Sequence, residues 1–166
     1  MSKPTYRRNF IDRRLFLDTN ILLDAVCKER PECQEARRVL QRCNGGGDMA
    51  FAASVSFKDV YYVLTKHYGR NAALGALKYL MDLVIIAPIS VEDCEVSFRS
   101  DEPDFEDGLI RACAELNDAD FILTRDADAY KYSPVRSVTC SEYLRIAEAR
   151  DENIRAKLAY SCIARG

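Results

Sequence analysis

Two aspartates occupy positions where an isolated carboxylate is hard to explain. Asp18 follows directly on the apolar run Leu15–Leu17, and Asp126 is the third residue after the apolar run Phe121–Leu123. Such runs are typical of buried strands, and burying a carboxylate is costly unless a cation meets it. If the two strands are parallel neighbours, both carboxylates lie at the same edge of the sheet. This placement makes a cation site the first hypothesis for function.

Three further aspartates are candidates for the same site. Asp59 lies near the start of a helical pattern, and Asp104 and Asp107 lie at the start of the helical pattern 105–117, three residues apart and on one face. Each also has a structural explanation, because first-turn carboxylates complement the helix dipole. Ser56 and Asp59 in addition have the spacing of a capping box. Taken singly, each of these acids is therefore more often structural than functional.

Taken together, the acidic positions predict a site for a hard divalent ion. Crowded carboxylates repel and raise one another's pKa unless a cation compensates them. Oxygen ligands select Mg²⁺ or Mn²⁺, whereas His67 is the only histidine and the seven cysteines form no C-x-x-C pair. Such ions, singly or in pairs, activate water and stabilise charge on phosphodiester oxygens. Phosphodiester hydrolysis is the chemistry that this pattern predicts.

Predicted strands and helices, which must position these acids, alternate along the chain. This alternation predicts a single α/β domain whose central, mostly parallel sheet is covered on both faces. We expect a basic N-terminal arm at 1–13, the α/β domain at 14–140, and a helical segment at 141–166 that packs on the domain or on a partner. The predicted strands are 14–17, 49–53, 84–87, 121–124 and 135–139, and the predicted helices are 20–27, one with Pro31 in its first turn, 54–67, 71–81, 91–100, 105–117 and 141–163.

Composition restricts the partners and the compartment. The chain has 166 residues and a formal net charge of -2, so RNA or DNA would have to be met by a local basic patch or through metal ions. No apolar run is long enough to span a bilayer, and the basic N-terminus has no apolar signal core, so we expect a cytoplasmic protein. The cysteines are expected to be free thiols, mostly buried or half-buried.

Four blocks of sequence occur in a characteristic order. They are L-D-T-N at 17–20, S-V-S-F-K-D-V-Y-Y-V-L at 54–64, D-F-E-D-G-L-I-R-A at 104–112 and I-L-T-R-D at 122–126. The chain thereby resembles the PIN-domain ribonucleases, particularly the VapC-like toxins of type II toxin–antitoxin pairs, from about residue 15 to residue 139. The resemblance implies a three-layer α/β/α sandwich and metal-dependent cleavage of RNA.

The resemblance also assigns roles to individual residues. The acids that match catalytic positions are Asp18, Asp59, Asp104, Asp107 and Asp126, and those expected to bind Mg²⁺ or Mn²⁺ are Asp18, Asp107 and Asp126. Residues that would orient these ligands are Thr19, Asn20 and Thr124. The basic residues expected to meet RNA around the crevice are Lys58, Arg99, Arg111 and Arg125.

Two departures from the family pattern bear on activity. Asp59 stands where the family usually has Glu, so its side chain is one methylene shorter. The family often has an acid before the aromatic that follows T-R-D, whereas Ala129 precedes Tyr130 here and Asp128 lies one position earlier. These departures predict reduced activity or altered metal occupancy.

Partners and alternatives follow from the same resemblance. It implies a homodimer that cleaves RNA and is inhibited by a small antitoxin whose tail enters the acidic crevice. Haloacid-dehalogenase-type phosphatases need a second Asp two residues after the first, where this chain has Asn20. A receiver-like domain needs a paired acid and a late strand-end Lys, and neither is evident. The remaining alternative is a weakly active or inactive PIN-like module that binds RNA or protein.

Overall fold

A computed structural model describes residues 13–163 except 101, 103 and 127. The predicted basic arm lies outside this range except for Arg13, which belongs to the first strand. Strands and helices alternate as the sequence predicts. The described elements are β1 (Arg13–Leu17), α1 (Thr19–Val26), α2 (Cys33–Asn44), β2 (Asp48–Ala53), α3 (Ser54–Tyr68), α4 (Arg70–Leu83), β3 (Ile85–Ala87), α5 (Val91–Arg99), α6 (Phe105–Leu116), β4 (Phe121–Leu123), β5 (Arg136–Val138) and α7 (Cys140–Ile163).

The five strands form one parallel sheet in the order β3-β2-β1-β4-β5. β1 lies at the centre and pairs with β4 so that Leu17 stands opposite Leu123. Asp18 and Thr124 therefore leave the sheet side by side at its carboxyl edge. This confirms the predicted parallel sheet, and it fulfils the condition, that the first and fourth strands are parallel neighbours, under which both strand-end acids lie at one edge.

Helices cover both faces of the sheet, because successive residues of a strand point to opposite sides. Leu15 and Leu17 pack in a core with α1, α2, α3, α4 and α7, and Phe16 packs in a second core with α6. The result is the three-layer α/β/α sandwich expected from the sequence. In the described residues, no helix is long and apolar enough to cross a membrane.

Two local predictions were wrong. Pro31 precedes α2, which begins at Cys33 after Glu32, and so it is not in the first helical turn. Ser56 and Asp59 do not form a capping box, because α3 begins at Ser54 and its N-cap residue makes no side-chain cap hydrogen bond. Asp59 is the sixth residue of α3, beyond the first turn, so capping does not explain its position.

The C-terminal segment forms one helix that packs on its own domain. Tyr143, Leu144 and Ala147 of α7 are buried in the core that contains α2. The predicted domain boundary at 140–141 falls at the start of this helix. The described cysteines are free, as expected: Cys27, Cys33, Cys113 and Cys140 are buried, Cys43 is half-buried and Cys94 is exposed.

Candidate metal-binding active site

Asp18 lies at the centre of the carboxyl edge of the sheet. It is the N-cap residue of α1 and only 6% of its surface is exposed. The Thr124 hydroxyl donates a hydrogen bond of 2.9 Å to Asp18 Oδ2. Burial raises the pKa of Asp18, and the Thr124 hydroxyl acts in the opposite direction. The carboxylate that the sequence singled out is thus held in a poorly solvated position.

Thr124 joins Asp18 to the fourth predicted acid. Its hydroxyl oxygen accepts a hydrogen bond of 3.0 Å from the backbone N–H of Asp126 while it donates to Asp18. Asp126 in turn accepts a hydrogen bond of 3.0 Å from the backbone N–H of Asp128. One short hydroxyl side chain thereby fixes the relative positions of both strand-end acids.

Asp107, in the first turn of α6, lies near Asp18 and Asp126. Burial raises its pKa to about 6, helped by the nearby charges of Asp18, Asp104, Glu106 and Asp126. Its helical turn is fixed by close packing, because a Cβ on the next residue, a glycine, would overlap the Ser97 hydroxyl of α5. The structure therefore brings together four of the five predicted catalytic acids.

Asp104 has a structural role as well as a place in this group. It is the exposed N-cap residue of α6, and its Oδ1 accepts a hydrogen bond of 2.7 Å from the backbone N–H of Glu106. Cap formation occupies that oxygen, so the other oxygen is the one available to a ligand.

Asp59 lies beside Lys58 and Glu106. Its Oδ1 is 2.8 Å from Lys58 Nζ. Burial raises the pKa of Glu106, and the adjacent carboxylate of Asp59 raises it further. Sequence reasoning overlooked Glu106: its place in the acidic first turn of α6, directly before Asp107, indicates an acid near the site but does not show that it lies beside Asp59. The site therefore contains a sixth acid that links Asp59 to Asp107.

The donor chemistry fits a hard divalent cation. In the part of the chain that the structure describes, no three Asp, Glu, His or Cys side chains converge into a closed metal-binding group. The acids are nevertheless close enough that their mutual repulsion raises the pKa of Asp107. All of the donors are oxygens, and a divalent cation would relieve this repulsion.

Tyr130 contributes a polar atom that sequence reasoning treated only as an aromatic position. Its side chain is 1% exposed, and its hydroxyl lies close to the Asp18 carboxylate without forming a hydrogen bond of good geometry to a described residue. Burial raises the pKa of Tyr130 strongly, and the charges of Asp18 and Asp107 raise it further. The hydroxyl is therefore a buried hydrogen-bond donor near the carboxylates.

The predicted orienting residues of the first block contact neighbouring elements. Thr19 donates a hydrogen bond of 2.9 Å to the Ser56 hydroxyl, which ties α1 to α3. Asn20 accepts one of 3.3 Å from Arg30. Arg30 also pairs with the fully buried Asp24. These contacts hold the start of α1, and hence the position of Asp18.

The four predicted RNA-binding residues differ in their availability. Lys58 and Arg99 are exposed at the surface. Arg125 is partly exposed and pairs with Asp24 at 3.2 Å. Arg111 has a side chain that is only 14% exposed, and its partners are Glu102 at 3.0 Å and Glu115 at 2.7 Å. The Arg111 guanidinium is therefore engaged within the protein rather than presented to a ligand.

The shifted pKa of Asp107 gives a prediction for the metal-free protein. The pKa of the Asp107 carboxyl is about 6 in the folded state, above the ordinary value of 3.8. The folded state therefore binds this proton more tightly than the unfolded state does. The contribution of this carboxyl to stability is full below about pH 3.8 and is lost as the pH rises through about 6. We expect Asp107→Asn to raise the melting temperature in EDTA at pH 7 but not at pH 4. An equal effect at both pH values, measured by calorimetry, would contradict this assignment.

A parallel sheet with carboxylates from two strand ends and one helix start at its carboxyl edge defines an α/β domain with a candidate metal site. Residues 14–128 match the model of a family described as the PIN domain, which is more than half of the chain. The chain therefore belongs to the PIN-domain family. None of the curated proteins matches it significantly in sequence.

Several solved structures share this fold, among them a bacterial toxin and a bacterial toxin–antitoxin complex. VapC20 of Mycobacterium tuberculosis, described as a toxin that cleaves the sarcin–ricin loop, is 15% identical with a TM-score of 0.59, covering 71% of this chain and 94% of that one. VapBC2 of Rickettsia felis, bound to a promoter DNA fragment, is 15% identical with a TM-score of 0.61, covering 76% and 98%. A toxin–antitoxin complex from Klebsiella pneumoniae is 23% identical with a TM-score of 0.56, covering 76% and 97%. At these identities the likeness establishes the fold.

Proposed function

We propose that this protein is a metal-dependent endoribonuclease and the toxin of a type II toxin–antitoxin pair. The observation that carries the proposal is the acidic group at the carboxyl edge of the sheet, in which the charges of Asp18, Asp104 and Asp126 contribute to raising the pKa of Asp107. Helix capping explains the position of Asp104 but not the positions of the other acids in this group. Two strand-end acids and a half-buried helical acid at one edge are the arrangement needed for a cation.

Asp18, Asp107 and Asp126 would hold Mg²⁺ or Mn²⁺. When bound, the metal would supply an activated water and positive charge at the scissile phosphate. Asp18 is the fixed member because Thr124 hydrogen-bonds its carboxylate and the sheet buries it. Asp107 is half-buried and Asp126 is exposed, so both carboxylates are more accessible to a ligand than that of Asp18. The Tyr130 hydroxyl is placed to donate a hydrogen bond within the group and so to orient a carboxylate or a water.

Glu106 is placed to compensate for the shorter side chain of Asp59. The family's usual Glu is replaced by Asp59, whose carboxylate lies beside Lys58 and Glu106. Glu106 has the longer side chain that Asp59 lacks and directly precedes the ligand Asp107. We propose that Asp59 and Glu106 together would perform the role of the single Glu towards a bound metal.

The partners proposed are those of the toxins that share this fold. Structures of the same fold include complexes with antitoxins in Klebsiella pneumoniae and Rickettsia felis. We propose a small antitoxin that covers the acidic crevice, a homodimer as the active form, RNA as the substrate and the cytoplasm as the site of action. The competing function is a weakly active or inactive PIN-like module that binds RNA or protein, which the short Asp59 side chain and the Ala129 before Tyr130 favour.

The decisive test is cleavage of a panel of single-stranded and structured RNAs by the purified protein. We expect cleavage in Mg²⁺ or Mn²⁺ and none in EDTA or in Ca²⁺, because Ca²⁺ takes a larger and less rigid ligand shell. Restoring Mg²⁺ after EDTA should restore cleavage. Inactivity across the panel with both metals would favour the binding module.

A further inference from the structure

One face of α3 carries an open groove beside the acidic group. The groove has a volume of about 820 Å³ and is lined by six residues of the helix: Lys58, Asp59, Tyr61, Tyr62, Thr65 and Lys66. Their spacing of three and four residues places them along one face. Asp59 lines the groove and also lies beside Glu106, so the groove begins at the acidic group and extends outward along α3.

The groove combines an exposed aromatic ring with cations. Tyr62 is 66% exposed, an unusual fraction for a large aromatic side chain. Lys58 pairs with Asp59, whereas Lys66 is exposed and has no ion-pair partner within the described ranges. The Thr65 hydroxyl is buried beneath the groove without a hydrogen-bond partner among the described residues. The surface thus offers a stacking platform and positive charge.

This combination is the one that proteins use to hold single-stranded nucleic acid. Bases stack on exposed aromatic rings, and lysines follow the phosphates. The distance along the helix from Lys58 to Lys66 is about 12 Å, given a rise of about 1.5 Å per residue. That length accommodates about three stacked nucleotides at about 3.4 Å each. A second copy that docked symmetrically through this face would instead bring two pairs of lysines together, which disfavours that occupant.

We propose that the α3 groove binds the single-stranded RNA that flanks the scissile bond, with Tyr62 stacked on a base and Lys66 contacting a phosphate. The inference rests on the proposed ribonuclease function, because it places the substrate of that activity. It adds a binding surface beyond the basic residues predicted from the sequence, and Tyr62 and Lys66 are its principal contacts.

The test measures RNA binding separately from RNA cleavage. Fluorescence anisotropy of a labelled single-stranded 12-mer with the full chain in EDTA reports binding alone. We expect Tyr62→Ala to weaken binding about tenfold and Tyr62→Phe to retain it, since the ring performs the stacking. Lys66→Ala should lower the slope of log K against log salt concentration by about 0.7, the loss of one phosphate contact to a single strand.

Matched controls come from the neighbouring helix α4. Tyr79 is an exposed tyrosine and Lys78 an exposed lysine, so Tyr79→Ala and Lys78→Ala remove the same groups outside the groove. Binding that falls equally in the groove variants and the control variants, or that changes in neither, overturns the inference. So does a Tyr62→Ala protein whose oligomeric state changes in light scattering while its RNA affinity does not, because the groove would then be a protein interface.

The outcomes separate the groove from the enzyme. If the groove variants lose RNA affinity but the wild-type protein cuts no RNA in Mg²⁺ or Mn²⁺, the groove is an RNA-binding surface, whereas the proposed function and the placement beside a scissile bond both fail. If the wild-type protein cuts RNA and the groove variants bind it unchanged, the function stands and the inference fails. A wild-type protein that binds no RNA in EDTA overturns the groove assignment.

Discussion

Replacing Asp18 by Asn is expected to reduce metal-dependent RNA cleavage by about 10²–10³-fold, the usual cost of removing one preorganised electrostatic group from an active site. Asn keeps the size of the side chain and can still accept the 2.9 Å hydrogen bond from Thr124. What the variant loses is the negative charge at the most buried acid of the group. Initial rates over a range of Mn²⁺ concentrations measure the effect.

The same variant separates catalysis from folding. Because burial raises the pKa of Asp18, its ionised form is disfavoured by the fold, and the neutral Asn removes that cost. We therefore expect a metal-free melting temperature at pH 7 that equals or exceeds that of the wild type. Mn²⁺ should raise the melting temperature of the wild type but not that of the Asp18→Asn protein.

A matched control for Asp18 is an acid that takes no part in the site. Asp82 lies on α4, is exposed and pairs with Lys78 at 3.1 Å. Asp82→Asn should leave both cleavage and the response to Mn²⁺ unchanged. If the wild type cleaves RNA, undiminished cleavage by the Asp18→Asn protein would refute the assignment of the active site.

The sequence was sufficient for the fold and for the strand-end acids. A short apolar run that stops at an acid identifies both β1 and Asp18, because both faces of a parallel strand are buried and only its end reaches a crevice. The same reasoning located Asp126 after β4. The observed pairing of Leu17 with Leu123 then follows from the topology of a parallel sheet.

The hydrophobic periodicity of the sequence does not predict which side chains pair with one another. Arg111 appeared to be a surface cation on an amphipathic helix, but it pairs with Glu102 and Glu115. Glu106 was passed over because position within a first turn does not reveal which neighbouring helix it faces. Both outcomes depend on contacts between elements whose packing is not encoded in local periodicity, so they require the structure.

Asp48 is the clearest example of an unpredicted buried charge. It follows a glycine-rich turn, and the predicted strand began one residue later, at Met49. The structure shows Asp48 with a fully buried carboxylate that accepts hydrogen bonds from Arg42, Arg150 and the Tyr143 hydroxyl, the last at 2.6 Å. These partners come from α2 and α7, so the carboxylate ties the C-terminal helix to the domain.

The charge on Asp48 should therefore be important for stability. Removing one partner of a buried ion pair leaves the other charge uncompensated, at a typical cost of about 3 kcal/mol. Asp151 remains beside Arg42 at 2.7 Å and limits the loss. We expect Asp48→Asn to lower the melting temperature by about 5–10 °C, given about 2–4 °C per kcal/mol for a chain of this size.

The matched comparison is a second acid that also joins α2 to α7 through an arginine. Glu148 pairs with Arg38 at 3.0 Å, but the two side chains are 59% and 57% exposed. An exposed pair contributes at most about 1 kcal/mol, so Glu148→Gln should change the melting temperature by no more than about 4 °C. Equal melting temperatures for Asp48→Asn and Glu148→Gln would show that the buried network does not stabilise α7. Cleavage at 20 °C should persist in both variants, because Asp48 begins its strand and lies at the sheet edge opposite Asp18.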